Sequence, residues 1–188
     1  MRQAKFRYGV DTGPFEFGPK RGGQTGPEAT PAVASVGTTE VEVAYSDEVV
    51  AELLYMIEEE KLAGDVYETF YDIYGLKIFA SIGASEDRHF DALVSQADAM
   101  GIDTDQFVFA ETGSFDDPEL QELYDTLIET GSASLTSALE VGAAIETKDI
   151  VDIAAAMEDV EGTVLAGVYA NLLAGSENHL VAFEGLLG

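Results

Sequence analysis

The chain has 188 residues, no cysteine, and 36 acidic against 9 basic residues, for a formal net charge of −27. That length can bury a full core within one domain, while the missing cysteines exclude a disulfide framework, a thiolate nucleophile and any cysteine metal site. A body this acidic does not track a phosphate backbone, which needs cationic neutralisation, and no stretch reads as a membrane span or a secretory signal. The expected partners therefore include neither nucleic acid nor membrane.

The charge is uneven. Residues 1–30 hold Arg2, Lys5, Arg7, Lys20 and Arg21 against Asp11, Glu16 and Glu28, a net of +2, which leaves −29 on the remainder. Such a body repels itself in dilute salt; at about 1 M salt the Debye length falls to about 3 Å and most of that repulsion is screened. The composition points to a cytoplasmic, halophilic protein from a high-salt cell.

Residues 1–45 contain Thr12-Gly13-Pro14, Gly18-Pro19, Arg21-Gly22-Gly23 and Gly26-Pro27 without a helical period. They read as an extended or disordered, mildly basic tail. Phe6, Tyr8, Phe15 and Phe17 exceed what a linker needs, so the tail is a candidate docking peptide for a protein partner. Residues 46–188 read as one helical domain.

Ser46 and Asp47 offer an N-cap to a helix over 47–74. At about 100° per residue, Leu53, Met56, Ile57, Ala63, Gly64, Tyr67 and Tyr71 share its inward face, with Glu60 at the centre of that face. Glu59 stands at the flank and Glu58 points nearly away. A second helix over 77–99 faces inward with Phe79, Ile82, Gly83, Glu86, His89, Phe90 and Leu93. Residues 102–116 look irregular. Asp117-Pro118 opens a short helix to about Glu129, with proline at its favoured first position, and Gly131 breaks the chain. Ser134 caps a helix over 135–158, whose core face carries Leu135, Leu139, Gly142, Ile150, Ile153 and Met157, with Glu146 near its centre and Asp149 beside it. The last helix, over 161–185, presents Leu165, Val168, Tyr169, Leu172, Ser176, His179, Leu180 and Phe183. The two halves repeat faintly, with Glu60 matching Glu146 and Glu86-x-x-His89 matching Ser176-x-x-His179.

A helical bundle fills its centre with apolar side chains, and a buried carboxylate needs a partner, a proton or a metal. Residues three apart share a helix face, so Glu86 and His89 can offer an oxygen and a nitrogen to one ion. Glu60, Glu86, His89, Glu146, Asp149 and His179 would converge from four helices. The phases assign Glu60 with His89 to one ion and Asp149 with His179 to a second, with Glu86 and Glu146 bridging or capping. Of Lys61, Lys77, Arg88 and Lys148, only Lys61 has a phase suited to the centre. Glu59 replaces Glu60 as a ligand if the first helix is rotated or bent. Tyr67 and Tyr169 are packing residues placed to hydrogen-bond the ligands. Carboxylate and imidazole donors suit iron or manganese, with zinc an alternative.

At these residues the sequence resembles the DUF2202 branch of ferritin-like proteins. The likeness runs through Glu58-Glu59-Glu60-Lys61-Leu62-Ala63-Gly64-Asp65-Val66-Tyr67, Ser85-Glu86-Asp87-Arg88-His89, Phe115-Asp116-Asp117-Pro118-Glu119-Leu120-Gln121 and Gly175-Ser176-Glu177-Asn178-His179-Leu180, over roughly residues 48–186. It implies an all-α, rubrerythrin- or ferritin-like antiparallel four-helix bundle, with the short extra helix in the central crossover, and a di-iron centre. The wider ferritin-like pattern places a Glu on each of two helices and a Glu-x-x-His on each of the other two. Glu60, Glu86, His89, Glu146 and His179 match it, while Ser176 stands where the remaining Glu belongs. Asp149, one turn beyond Glu146, is the candidate replacement donor. The expectation is a non-haem di-metal protein with two iron ions that oxidises ferrous iron or reduces dioxygen or peroxide. The alternative is a non-catalytic, metal-stabilised structural or interaction bundle. Homodimer and larger assembly both remain open.

Overall fold

The computed structural model describes residues 45–188; the expected tail over 1–45 lies, Tyr45 apart, outside the described residues. Among these the protein is all-helical, with six helices and no strand. The first, α1 (Asp47–Tyr74), starts where the Val49 N–H donates to the Ser46 hydroxyl, and Asp47 and Glu48 complement the positive end of the helix dipole. It stops at Gly75, whose φ of 64° is the left-handed cap that glycine adopts without strain. After this two-residue turn, α2 spans Lys77–Ala99. The crossover holds α3 (Asp105–Val108) and α4 (Pro118–Gly131), and α5 (Leu135–Glu158) and α6 (Val164–Leu187) complete the chain.

The long helices pair through contacts that run in opposite chain order. Along α1 and α2, Phe70 meets Phe79 and Glu60 meets His89. Along α5 and α6, Gly142 lies against Phe183 and Glu146 near His179. The two pairs join where Tyr67 and Glu59 of α1 reach Glu146 and Lys148 of α5, and where Phe79 and Glu86 of α2 reach Phe183 and His179 of α6.

Two apolar clusters fill the interior. One gathers Leu53, Met56, Ile57, Leu93, Ala97, Phe107, Ile153, Leu165 and Tyr169. The other gathers Leu62, Val66, Tyr67, Phe70, Phe79, Ile82, Leu120, Leu139 and Phe183. On each long helix a polar stretch falls in sequence between the two clusters: Glu58 to Lys61 on α1, Glu86 and the half-buried His89 on α2, Glu146 and Asp149 on α5, Ser176 and the half-buried His179 on α6. A polar layer thus interrupts an otherwise apolar core.

Several sequence expectations are corrected. Glu58 is buried, because the crossover folds over it and the backbone N–H groups of Asp116 and Asp117 donate to its carboxylate. Lys61 is drawn away from the centre to the same crossover: it pairs with Asp65 at 2.5 Å, donates to the Glu111 and Ser114 carbonyls and lies over the Phe115 ring. Tyr71 is exposed and Phe70 takes the core position, since α4 extends the core on that side of α1 through Leu120. Leu135, in the first turn of α5, is also exposed. α4 continues through Gly131, which is small because the Phe70 ring lies against it; a Cβ there would sit 2.1 Å from Phe70 Cζ. α6 starts late, at Val164, after Gly162 turns at φ 79° and the Thr163 hydroxyl accepts from the Ala166 N–H. No described helix is long and apolar enough to cross a membrane.

Candidate metal centre

Five side chains from four helices meet in the polar layer. His89 Nδ1 lies 2.6 Å from Glu86 Oε2 and 3.2 Å from Glu60 Oε2. His179 Nδ1 lies 2.8 Å from Glu86 Oε1 and 3.4 Å from Glu146 Oε2. The imidazoles stack with centroids 5.7 Å apart. Glu60, Glu86 and His89 form one group of donor atoms all within 4.8 Å of one another, and Glu86, Glu146 and His179 form a second. Glu86 belongs to both and turns one oxygen to each histidine.

The donors fit a pair of cations. Ligand atoms about 2.1 Å from a shared ion and at right angles are about 3 Å apart, which is the scale of the separations here. Both Glu86 oxygens, His179 Nδ1, Glu60 Oε1 and Glu146 Oε2 are buried without a hydrogen-bond partner. The short N···O approaches to Glu86 depart from regular hydrogen-bond alignment, although a protonated imidazole there still pairs with the carboxylate as an ion. Leaving such groups unanswered in a dry core is costly, and Glu86 and Glu146 are 0 % exposed.

Among the side chains themselves, protons balance the charge. Burial pulls the His89 imidazole down, but Glu60 and Glu86 outweigh it and raise it to about 10. Glu146 and Glu86 likewise override burial to raise His179 to about 9. Burial pushes the Glu60 carboxyl up to about 8 and raises Glu146. Glu86 is the exception: burial opposes its ionisation, yet His179 and His89 hold it down at about 2. Ligation requires neutral imidazoles and ionised carboxylates, so a metal entering here displaces protons.

Known proteins place the chain. The model of an uncharacterized protein domain, DUF2202, matches residues 50–187. The chain belongs to the DUF2202 family. Across 135 residues, 72 % of each chain, it is 41 % identical to the uncharacterized protein MJ0754 of Methanocaldococcus jannaschii. It is also similar to the crystal structure of the hypothetical protein MJ0754 from Methanococcus jannaschii, with a TM-score of 0.73 and 38 % identity over 78 % of this chain and 83 % of the other.

Around the five donors, this DUF2202 domain arranges the remaining singled-out residues in different ways. Tyr67 donates to Glu146 Oε1 at 2.6 Å, and burial followed by the charge of Glu146 keeps its phenol protonated, so it remains a donor. Ser176 is fully buried, but its hydroxyl donates to the Leu172 carbonyl of its own helix. Tyr169 lies in the cluster with Leu53 and Leu165, and its hydroxyl reaches no ligand. Asp149 is buried with Oδ2 unpartnered, yet stands outside both donor groups. Glu59 turns one oxygen to Lys148 rather than to a histidine. Sequence phase missed Gly175. A Cβ there would lie 2.6 Å from His89 Nε2, so the α6 backbone makes room for a ring carried by α2. The available signal was a glycine inside a helix beside Ser176, where it costs about 1 kcal/mol relative to alanine.

Proposed function

We propose that this protein is a non-haem di-metal protein built on a ferritin-like antiparallel four-helix bundle. The observation that carries the reading is Glu86, a fully buried carboxylate shared by two donor groups, with one oxygen 2.6 Å from His89 Nδ1 and the other 2.8 Å from His179 Nδ1. Glu60 and His89 would serve one ion, Glu146 and His179 the other, and Glu86 both. Iron fits the mixed oxygen and nitrogen set best, with manganese and zinc as alternatives. Two ferrous ions would supply electrons for reducing dioxygen or peroxide. The chain's own part is to exclude water, to hold each histidine with Nδ1 inward, and to fix Glu146 through the Tyr67 hydroxyl.

Anaerobic titration with ferrous iron should reach two equivalents per chain. His89→Ala or Glu86→Gln should abolish binding, whereas Ser176→Ala should keep it because the Ser176 hydroxyl is already spent on Leu172. No iron uptake by the wild-type chain rejects the proposal. The complete burial of Glu86 and Glu146 also favours a second reading, a metal that only stabilises the bundle. On that reading metal raises Tm by binding the native state, with no oxygen consumed.

A further inference from the structure

The outer side of α6 carries a repeat that its buried side does not require. Val164, Gly167, Asn171, Ala174, Asn178 and Val181 are all exposed and follow one another at alternating steps of three and four residues, and Gly185 continues the series. A period of about 3.5 residues keeps one stripe turned toward a second helix along its whole length. Val164 and Val181 are 71 % and 67 % exposed. Gly175 is small because His89 lies against it, but a Cβ at Gly167 or Gly185 meets nothing within 4 Å. Glycine costs about 0.5–1 kcal/mol in a helix relative to alanine, and among the described residues nothing needs either position to be small. The open backbone suits a neighbour from outside the chain.

Charge narrows what that neighbour is. In a chain of net charge −27, α6 carries only Glu177 and Glu184, both off the stripe, and no basic residue. Its neighbour α2 meets it through Phe79 and His89. On that flank the outer side of α2 runs through Ser81, Ser85, Ala92, Ser95 and Ala99, with Arg88 as the one charge. Two stripes without a carboxylate thus lie side by side on a strongly acidic molecule, where a second copy meets the least repulsion.

We propose that this α2–α6 face binds a second copy of the chain, with the two α6 helices antiparallel across a two-fold axis at Ala174. In that arrangement the stripe is complementary to itself. Asn171 meets Asn178 of the partner subunit, Gly167 lies opposite Val181 of the partner subunit, and Val164 opposite Gly185 of the partner subunit, so glycine faces valine at each end. Asn178 Nδ2 donates to the Ala174 carbonyl of its own helix, which leaves its Oδ1 to accept from the partner's Asn171. At 1.5 Å per residue α6 is about 36 Å long. Two helices about 10 Å apart then give about 700 Å² per copy and about 1,400 Å² in all, within the range of stable interfaces. The face also flanks the most exposed donors of the centre: the side chains of His89 and His179 are 11 % and 13 % exposed, against 1 % or less for Glu60, Glu86 and Glu146. Covering those rings matters to metal chemistry only on the di-metal reading; the dimer itself does not depend on it.

Sedimentation equilibrium of the full chain in high salt, where repulsion between acidic copies is screened, should give twice the 20.0 kDa chain mass. Ala174→Glu sets two carboxylates against each other on the axis and should raise the dissociation constant about a hundredfold. Val151→Glu, at an exposed position on α5, should leave it unchanged. Because the chain has no cysteine, Ala174→Cys should form a disulfide-linked dimer on mild oxidation, whereas Val151→Cys should not. Circular dichroism checks the fold of each variant. A wild-type chain of single mass overturns the proposal, whatever the iron titration gives. A dimer that tolerates Ala174→Glu overturns this face, and one that is broken by Ala174→Glu but not linked in Ala174→Cys overturns the antiparallel pairing.

Discussion

At Gly175 the difference between glycine and alanine is one methyl group, and that methyl would have to occupy the space of the His89 ring, 2.6 Å from Nε2. Alanine is the better helix former by about 1 kcal/mol, but overpacking a filled site costs about 1–3 kcal/mol, so Gly175→Ala should lower stability and displace His89. Denaturation with chelator present measures the first effect and iron stoichiometry the second. A variant stabilised by the full helix-propensity gain, with iron binding intact, would contradict the assigned contact. The same scale explains what the sequence disclosed. Glu60, Glu86, His89, Glu146 and His179 were legible because each is polar at a phase where its helix is otherwise apolar. Glu58, Glu59 and Lys61 were not, because helical phase describes one inward face and the middle of α1 is enclosed by α2, α5 and the crossover together. Gly175 was obscured because what it accommodates belongs to a different helix.

At the scale of elements, the helix limits were readable wherever capping chemistry is local. Ser46, Gly75, Pro118 and Ser134 mark their ends directly. The late start of α6 depended on Gly162 and Thr163 acting together, which an apolar period does not report. The crossover, expected to be irregular, contains α3 and is fixed to α1 by Glu58, Lys61 and Asp65. Removing the Glu58 carboxylate leaves two backbone N–H groups without their acceptor, and an unmet buried donor costs about 1–3 kcal/mol. Glu58→Ala should therefore loosen residues 109–117 selectively. Hydrogen exchange should show Asp116 and Asp117 losing protection while α2 and α6 keep theirs; an equal loss across all helices would mean that Glu58 supports the whole bundle and not the crossover in particular. A parallel test of close packing is Gly142→Ala, whose Cβ would lie 2.6 Å from the Phe183 ring. It should destabilise by about 1–3 kcal/mol without changing the iron stoichiometry, because the contact lies in the apolar cluster and not among the donors.

For the whole molecule, charge sets the terms on which the fold survives. With a net charge of −27, Tm should climb with added salt as self-repulsion is screened, and a flat salt series would remove the case for a halophilic protein. At high, fixed salt the polar layer then dictates the pH response. Glu59 and Glu60 are raised from 4.5 to about 7 and about 8, and His179 and His89 from 6.5 to about 9 and about 10. A group whose pKa is higher in the folded state contributes its full stability below the unfolded value and loses it as pH rises through the folded value. Glu86, lowered from 4.5 to about 2, acts oppositely, but its contribution is complete above 4.5 and is lost only on acidification toward 2. Between pH 5 and 10, then, the chelator-treated protein should unfold more easily at each step upward. Metal bound at the proposed centre would reverse the trend at the same residues, because deprotonated donors bind it more tightly. The difference in Tm between iron-loaded and chelator-treated protein should widen with rising pH across this window, measured anaerobically by scanning calorimetry. A difference that stays constant would mean that the metal binds away from the two histidines and the carboxylates packed against them.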